Sequence, residues 1–300
     1  MNFDFLLSFG FEPCFPFPVF MGLAVLLGFS IGILTGLFGV GGGFLMVPLL
    51  NILLGVPYSI AVGTSLCFII GTSAIALPGH IRQGNFESKT ALYISIGSIL
   101  GSLFGDVLQD ILIHTVAKGD TVIFGYWMHG FFIFLLLLTG ALLISPFGTP
   151  RPDSPIKPLI QRIAIPPFAR VEGSESARMS IPGLAGIGFL VGMLTGLLGV
   201  GGGVLMMPLL LVVVGLSPKL AVGTSLGIVL AGSIAGVVKK LFSSMPKISL
   251  PLTLALLVGS FMGVRVGIWI CRLIKGEKIR KYFVYVILLA LGVILWDLVF

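Results

Sequence analysis

Charged residues are scarce in this chain, and cysteines are scarcer. Only 10% of the 300 residues are Asp, Glu, Lys or Arg, against roughly a quarter in soluble domains, which excludes an ordinary water-soluble protein. Cys14, Cys67 and Cys271 stand far apart without C-x-x-C spacing, so neither a metal site nor a redox pair is predicted and no cofactor is implied. Residues 1–18 contain no Lys or Arg. Because a cleaved signal peptide has a positive region, the first apolar run is expected to stay in the membrane.

Long apolar runs make up most of the chain. Hydrophobic residues account for 57% of it, and about 20 consecutive apolar residues span a bilayer as a helix. The formal charge of +7 lies mainly in the short connections, where the positive-inside rule places Lys and Arg, so nucleic acid is not an expected partner. The sequence predicts an all-α polytopic protein of the bacterial inner membrane. Its apolar segments are 19–38, 44–54, 60–77, 91–113, 122–144, 182–198, 204–214, 220–238, 250–270 and 282–299.

The chain repeats itself at an offset of 160 residues. Residues 36–50 read GLFGVGGGFLMVPLL and residues 196–210 read GLLGVGGGVLMMPLL, while 61–66 and 221–226 both read AVGTSL. Identical strings at a fixed offset indicate duplication of one membrane unit. The expected organisation is an N-terminal extramembrane segment (1–18), a first membrane repeat (19–145), a Pro/Arg-rich exposed cytoplasmic linker (146–180) and a second membrane repeat (181–300).

Topology depends on the second segment of each repeat, which is too short to cross the membrane. If each short segment returns to the side it came from, thirteen basic connection residues lie on one side and four on the other; if it crosses, the split is ten against seven. The positive-inside rule favours the first arrangement, with inverted repeats and both termini outside. Lys239 and Lys240 then lie on the side with few positive charges, and parallel repeats stay an alternative.

Triple glycines separate the first two segments of each repeat. Each glycine lowers helix stability by about 1 kcal/mol relative to Ala, so an unwound or re-entrant element is expected there, and such backbone at membrane depth lines a cavity or is buried in protein. The next helix starts at the glycines and directs its N–H groups and positive dipole end at an anion. Close helix packing is the alternative explanation of the glycines. The predicted binding glycines are Gly41, Gly42, Gly43, Gly201, Gly202 and Gly203.

Hydroxyl pairs follow the short segments. Thr64 with Ser65, and Thr224 with Ser225, are expected near the start of the next helix, where hydroxyls either cap the helix or donate to an oxyanion.

Arg265 is the one basic residue well inside an apolar segment. It is expected to face the interior and meet an anionic solute or Asp106, or else to extend to the membrane interface. His80, His114 and His129 fall at segment ends or in loops and are expected to be solvated.

With both G-x-x-G-V-G-G-G-x-L-x-x-P-L-L strings and both A-V-G-T-S-L strings, the chain resembles the TauE/SafE family, also called the toluene-sulfonate uptake permease family. The resemblance covers nearly the whole chain. It implies transport of sulfite or organosulfur anions, often as export.

The function expected is therefore secondary transport of a small anion, which is the expected partner together with the lipid bilayer. A passive anion channel is the alternative. An intramembrane enzyme is disfavoured because no His and no carboxylate pair lies mid-span, and a structural scaffold is a fourth reading. Whether two copies form a homodimer stays open.

Overall fold

Helices form nearly all of the structure, a computed structural model that describes residues 16–112, 121–144, 166–169, 179–242 and 248–299. Eight helices in these ranges are long and apolar enough to cross a membrane, and α2 and α7 are shorter. The predicted all-α polytopic fold is confirmed. The helices are α1 Phe17–Phe38, α2 Gly43–Leu54, α3 Tyr58–Arg82, α4 Ser88–Ile111, α5 Thr121–Ile144, α6 Ile181–Leu198, α7 Gly203–Leu209 continued by a π-helical turn Leu210–Val214, α8 Pro218–Leu241, α9 Leu250–Leu273 and α10 Gly276–Val299.

Most helix ends lie beyond the predicted apolar runs. Helix α3 continues to Arg82, and α10 begins at Gly276 and includes a basic stretch. Polar residues at these ends reach water or cap the backbone, so they prolong a helix that hydropathy alone cuts short. At α4, for example, the Glu87 side chain accepts from the backbone N–H groups of Lys89 and Thr90.

The two repeats interlock through glycine-lined contacts. Helix α4 lies so close to α6 that a Cβ on Gly97, Gly101 or Gly105 would overlap the carbonyl oxygen of Ala185, Phe189 or Met193, respectively. Helix α9 lies equally close to α1. Here the packing explanation of small residues applies, because only glycine permits such backbone approach. The matching glycines of the second contact are Gly259, Gly263 and Gly267, against Val25, Phe29 and Ile33.

Matching helices of the two repeats run in opposite directions. Near the end of α3, His80 lies beside Gly223 at the start of α8, whereas Leu66 near the start of α3 lies beside Gly236 near the end of α8. Helices α3 and α8 are therefore antiparallel, which is the relation that an inverted duplication requires.

The described part of the linker is not fully exposed. Phe168–Ala169 and Met179–Ser180 pair as a short antiparallel ladder, and Met179 and Ser180 are buried. The Ser180 hydroxyl accepts from the Gly183 N–H at 3.2 Å and caps α6. The expectation of an exposed linker is wrong at these two residues because they form the start of the second repeat.

Candidate functional site

Two glycine hinges interrupt the helices where the triplets predict. Helix α1 ends at Phe38 and α2 begins at Gly43, and α6 and α7 are separated in the same way. In the first hinge, residues 39–43, the φ angles of Gly41 and Gly42 are +71° and +82°; in the second, residues 199–203, those of Gly201 and Gly202 are +70° and +64°. Side chains rarely adopt this left-handed conformation, so the local backbone requires glycine.

The hinges contact each other. A Cβ on Gly43 would overlap the carbonyl group of Val200, and a Cβ on Gly203 would overlap that of Val40. The N-termini of α2 and α7 therefore meet inside the bundle, where both hinges are buried. Neither terminus has a side-chain cap. The first N–H groups of a helix lack intrahelical partners, so this meeting point combines free donors with two positive dipole ends.

Two apolar side chains cover the meeting point. A Cβ on Gly41 would lie 2.9 Å from both Ile69 Cγ2 and Val229 Cγ1, and a Cβ on Gly201 would lie 2.8 Å from Ile69 Cδ1 and 3.1 Å from Val229 Cγ1. Ile69 and Val229 are matched by the 160-residue offset and come from the antiparallel pair α3 and α8. A solute that reaches the hinge donors from this side must displace these side chains.

The four predicted hydroxyls lie within one to two turns of the starts of α3 and α8 and cap neither helix. Ser65 Oγ donates to the Gly199 carbonyl at 2.8 Å, and Ser225 Oγ donates to the Gly39 carbonyl at 2.7 Å. Thr64 Oγ1 accepts from the backbone N–H of Ser249, and Thr224 Oγ1 accepts from that of Glu87. Each pair thus joins its helix to the other repeat, and the serines hold the hinges by their carbonyls.

Sequence reasoning missed three hydroxyls farther along the same helices. Thr72 Oγ1 lies 3.1 Å from the Gly41 carbonyl. Ser73 Oγ is close enough that a Cβ on Gly41 would lie 3.5 Å from it. Among the described residues, the buried hydroxyls of Ser73 and Ser233 have no hydrogen-bond partner. These two serines are also separated by 160 residues, so the offset was the signal that could have found them.

Arg265 does not join the hinges. It lies on the exposed face of α9, with its guanidinium carbon 4.1 Å from the centre of the Phe261 ring. The expected interior position is wrong: Gly263 and Gly267 turn the buried face of α9 towards α1, and Arg265 points away from it. This position fits the alternative of a long side chain that extends along apolar surface.

Asp106 has partners other than Arg265. Its carboxylate is 2.5 Å from Lys240 Nζ and 3.4 Å from Lys239 Nζ. Lys240 Nζ also donates to Gln109 Oε1 at 2.7 Å, and Gln109 Nε2 donates to the Leu197 carbonyl at 3.0 Å. This buried polar cluster connects α8, α4 and α6, and it explains how two lysines are accommodated on the side that the charge count expected to be poor in positive charge.

Two histidines expected to be solvated are buried. His80 is fully buried, and its Nε2–H donates to the Gly36 carbonyl at 2.9 Å. That carbonyl belongs to the last turn of α1, where carbonyls lack intrahelical partners. His129 is also buried and lies 3.0 Å from the Tyr58 hydroxyl. Hydropathy could not detect either contact, because both join helices that are distant in sequence. His114 lies outside the described residues.

Comparisons with known proteins agree with this architecture. A family model described as sulfite exporter TauE/SafE matches residues 24–295. The probable membrane transporter protein YunE of Bacillus subtilis is 30% identical over 266 residues, which are 86% of this chain and 90% of YunE. A probable membrane transporter protein of Methanocaldococcus jannaschii is 26% identical over 278 residues, which are 89% of this chain and 92% of the relative. No solved structure matches the chain.

Proposed function

The chain belongs to the sulfite exporter TauE/SafE family, and on that premise we propose that it is a secondary transporter that exports a small anion, sulfite or a sulfonate, across the bacterial inner membrane. Membership in the family confirms the predicted resemblance and makes the chain a multi-pass membrane transporter. The solute, the direction of transport and the location in the inner membrane belong to the proposal.

The observation that carries the proposal is the meeting of two uncapped helix N-termini at the contacting hinges. Each terminus contributes about half a positive charge and several free N–H groups. Such a site attracts an anion without a buried cation, whose desolvation would be costly. Discontinuous helices of this kind mark the substrate sites of many secondary transporters.

The proposed solute path runs along the hinges. In the described conformation Ile69 and Val229 cover the meeting point, and movement of α3 against α8 would expose it first to one side of the membrane and then to the other. The serines that hold the hinges would couple this movement to the site. The residues proposed for the path are Gly41, Gly42, Gly43, Thr64, Ser65, Gly201, Gly202, Gly203, Thr224 and Ser225, and its position on the exposed face leaves Arg265 out of the set.

Proteoliposomes loaded with sulfite test the proposal. Wild-type protein should show saturable flux that an excess of unlabelled sulfite or a small sulfonate on the opposite side accelerates by counterflow, whereas sodium chloride at equal ionic strength should not. Flux that rises linearly with concentration would identify a passive channel instead. No flux of any sulfur oxyanion or sulfonate would reject the proposal.

A matched pair of alanine variants tests the hinge. In Gly203→Ala, the added Cβ overlaps the Val40 carbonyl group and should push the hinges apart, reducing the transport rate at least tenfold. Gly186→Ala also adds a Cβ to a helix of the second repeat, but with no atom within 4 Å, so it should transport like wild type. Size-exclusion chromatography and thermal unfolding establish that both variants are folded. Equal transport by two folded variants would remove the hinge from the mechanism.

A further inference from the structure

A second polar region lies away from the hinges, at the end of the bundle where α3 and α9 end and α8 begins. It is a cavity of about 660 Å³, within the range of pockets that hold small ligands. The count of basic residues predicts that this end faces the cytoplasm. The cavity is lined by Gly79, Arg82, Gln83, Asn85, Lys219 and Arg272.

The charges of the lining have one sign. Arg82, Lys219 and Arg272 come from three different helices, and no acidic residue lines the cavity. Lys219 Nζ lies 3.4 Å from the Arg272 carbonyl oxygen, so its ammonium group is held at the end of α9. Like charges gathered around one space repel each other, and a bound anion would remove that repulsion.

Helix-end preferences do not explain all three cations. Arg82 and Arg272 lie in the last turns of α3 and α9, where the helix dipole favours positive charge. Lys219 is the second residue of α8, where the dipole disfavours a cation. The Ser217 side chain does not cap this helix. A cation at a positive helix end, facing two arginines across a cavity, favours an anionic ligand over a purely structural role.

Uncharged groups add donors to the same space. Asn85 is buried and its Nδ2 donates to Gln83 Oε1 at 3.1 Å, which leaves the Gln83 amide nitrogen as the free end of that side chain. Arginine and amide N–H groups together form the donor set that oxyanions prefer, because a guanidinium can donate to two oxygens at once.

The duplication did not produce this cavity twice. At the positions matched by the repeat, Lys219 corresponds to Ser59, Arg82 to Phe242 and Arg272 to Asp110. The other end therefore lacks the three lining cations although its helices share the same ancestry. This cation set is thus a feature of one end of the molecule rather than a consequence of the repeated scaffold.

We propose that this cavity is an oxyanion-binding site, separate from the hinge site, which takes either a free sulfate-like or phosphate ion or the phosphate of an anionic lipid headgroup. A basic pocket between membrane helices is suited to both sources.

The test measures binding of inorganic sulfate and phosphate to the full-length protein in a zwitterionic detergent, by isothermal titration at constant ionic strength. Arg82→Gln combined with Arg272→Gln should weaken binding at least tenfold. The control, Lys275→Gln combined with Lys278→Gln, removes the same charge from exposed residues outside the cavity lining and should bind like wild type.

Lipid is tested by native mass spectrometry of protein from nanodiscs of phosphatidylglycerol or of phosphatidylcholine. Retention of phosphatidylglycerol by wild type and control, with loss in the cavity variant, identifies the headgroup as the source. Ion binding without lipid retention identifies a free ion. If the cavity variant and the control behave alike in both assays, the site is rejected. Neither readout is transport, so an inactive but ion-binding protein would reject only the proposed function.

Discussion

The two ends of the helix bundle carry different chemistry at positions that the duplication matches. At one end, Lys240 near the end of α8 contacts Asp106 and Gln109 of α4. At the other end the residue matching Lys240 is His80, which donates to the last turn of α1. Asp106 and Gln109 match Ile268 and Cys271 of α9, so the carboxylate is absent from the His80 end and its place is apolar.

This difference separates the scaffold from the charges attached to it. Both ends need a donor for the carbonyls at the end of a discontinuous helix, and His80 and Gln109 supply it on the two sides. Only one end then neutralises its lysines with a buried carboxylate. The His80 end instead has three cations around a cavity, which gives an inverted repeat two unlike faces.

Removing one charge from the buried cluster should have the largest effect. Lys240→Met leaves the Asp106 carboxylate buried with only Lys239 nearby at 3.4 Å, and an uncompensated buried charge costs about 3–5 kcal/mol of stability. Denaturant unfolding in detergent measures this loss. The double variant Asp106→Leu with Lys240→Met should recover most of it, because an apolar pair of similar volume is tolerated. If the double variant is as unstable as the single one, the cluster is not held by the ion pair.

The matched change at the other end should cost less. His80→Ala removes one neutral hydrogen bond and leaves the Gly36 carbonyl without its donor, at a cost of about 1–3 kcal/mol. His80→Gln can still donate from its amide and should lose less than half as much. The same unfolding assay compares both with Lys240→Met. A loss in His80→Ala as large as that in Lys240→Met would show that the two ends are energetically equivalent.

The smallest effects are expected where the two ends agree. Ser65→Ala and Ser225→Ala each remove one hydrogen bond to a hinge carbonyl, of 2.8 Å and 2.7 Å, so each should cost about 1 kcal/mol. The two losses should match within about 0.5 kcal/mol, since this part of the fold is duplicated. A silent substitution at one end and a costly one at the other would show that the asymmetry extends to the hinges.

The segments and hinges could be predicted because each depends on local sequence. Apolar length defines spanning helices, and triple glycine disfavours helix wherever it occurs. The helix breaks at Gly41–Gly42 and Gly201–Gly202 follow from that rule, and the repeat doubled the evidence. The boundaries were missed mainly at polar helix ends such as that of α3, which hydropathy does not recognise as helical.

The roles of individual side chains could not be read from the sequence in the same way. Arg265 was expected inside and lies outside, and Asp106 was assigned the wrong partner. Which face of a spanning helix is buried depends on its neighbours, and hydropathy is nearly uniform around such a helix. The unpartnered Ser73 and Ser233 were missed for the same reason.

What the sequence determined by itself is a duplicated membrane unit with a glycine break in each copy, since hydropathy, backbone propensity and internal identity are properties of the chain. What only the tertiary structure decided is that the two breaks touch, that Lys240 is neutralised while Lys219 faces a cavity, and that His80 is buried. These depend on which helices of opposite direction lie side by side, and the free energy of a charge depends on the groups that packing places within a few ångströms of it.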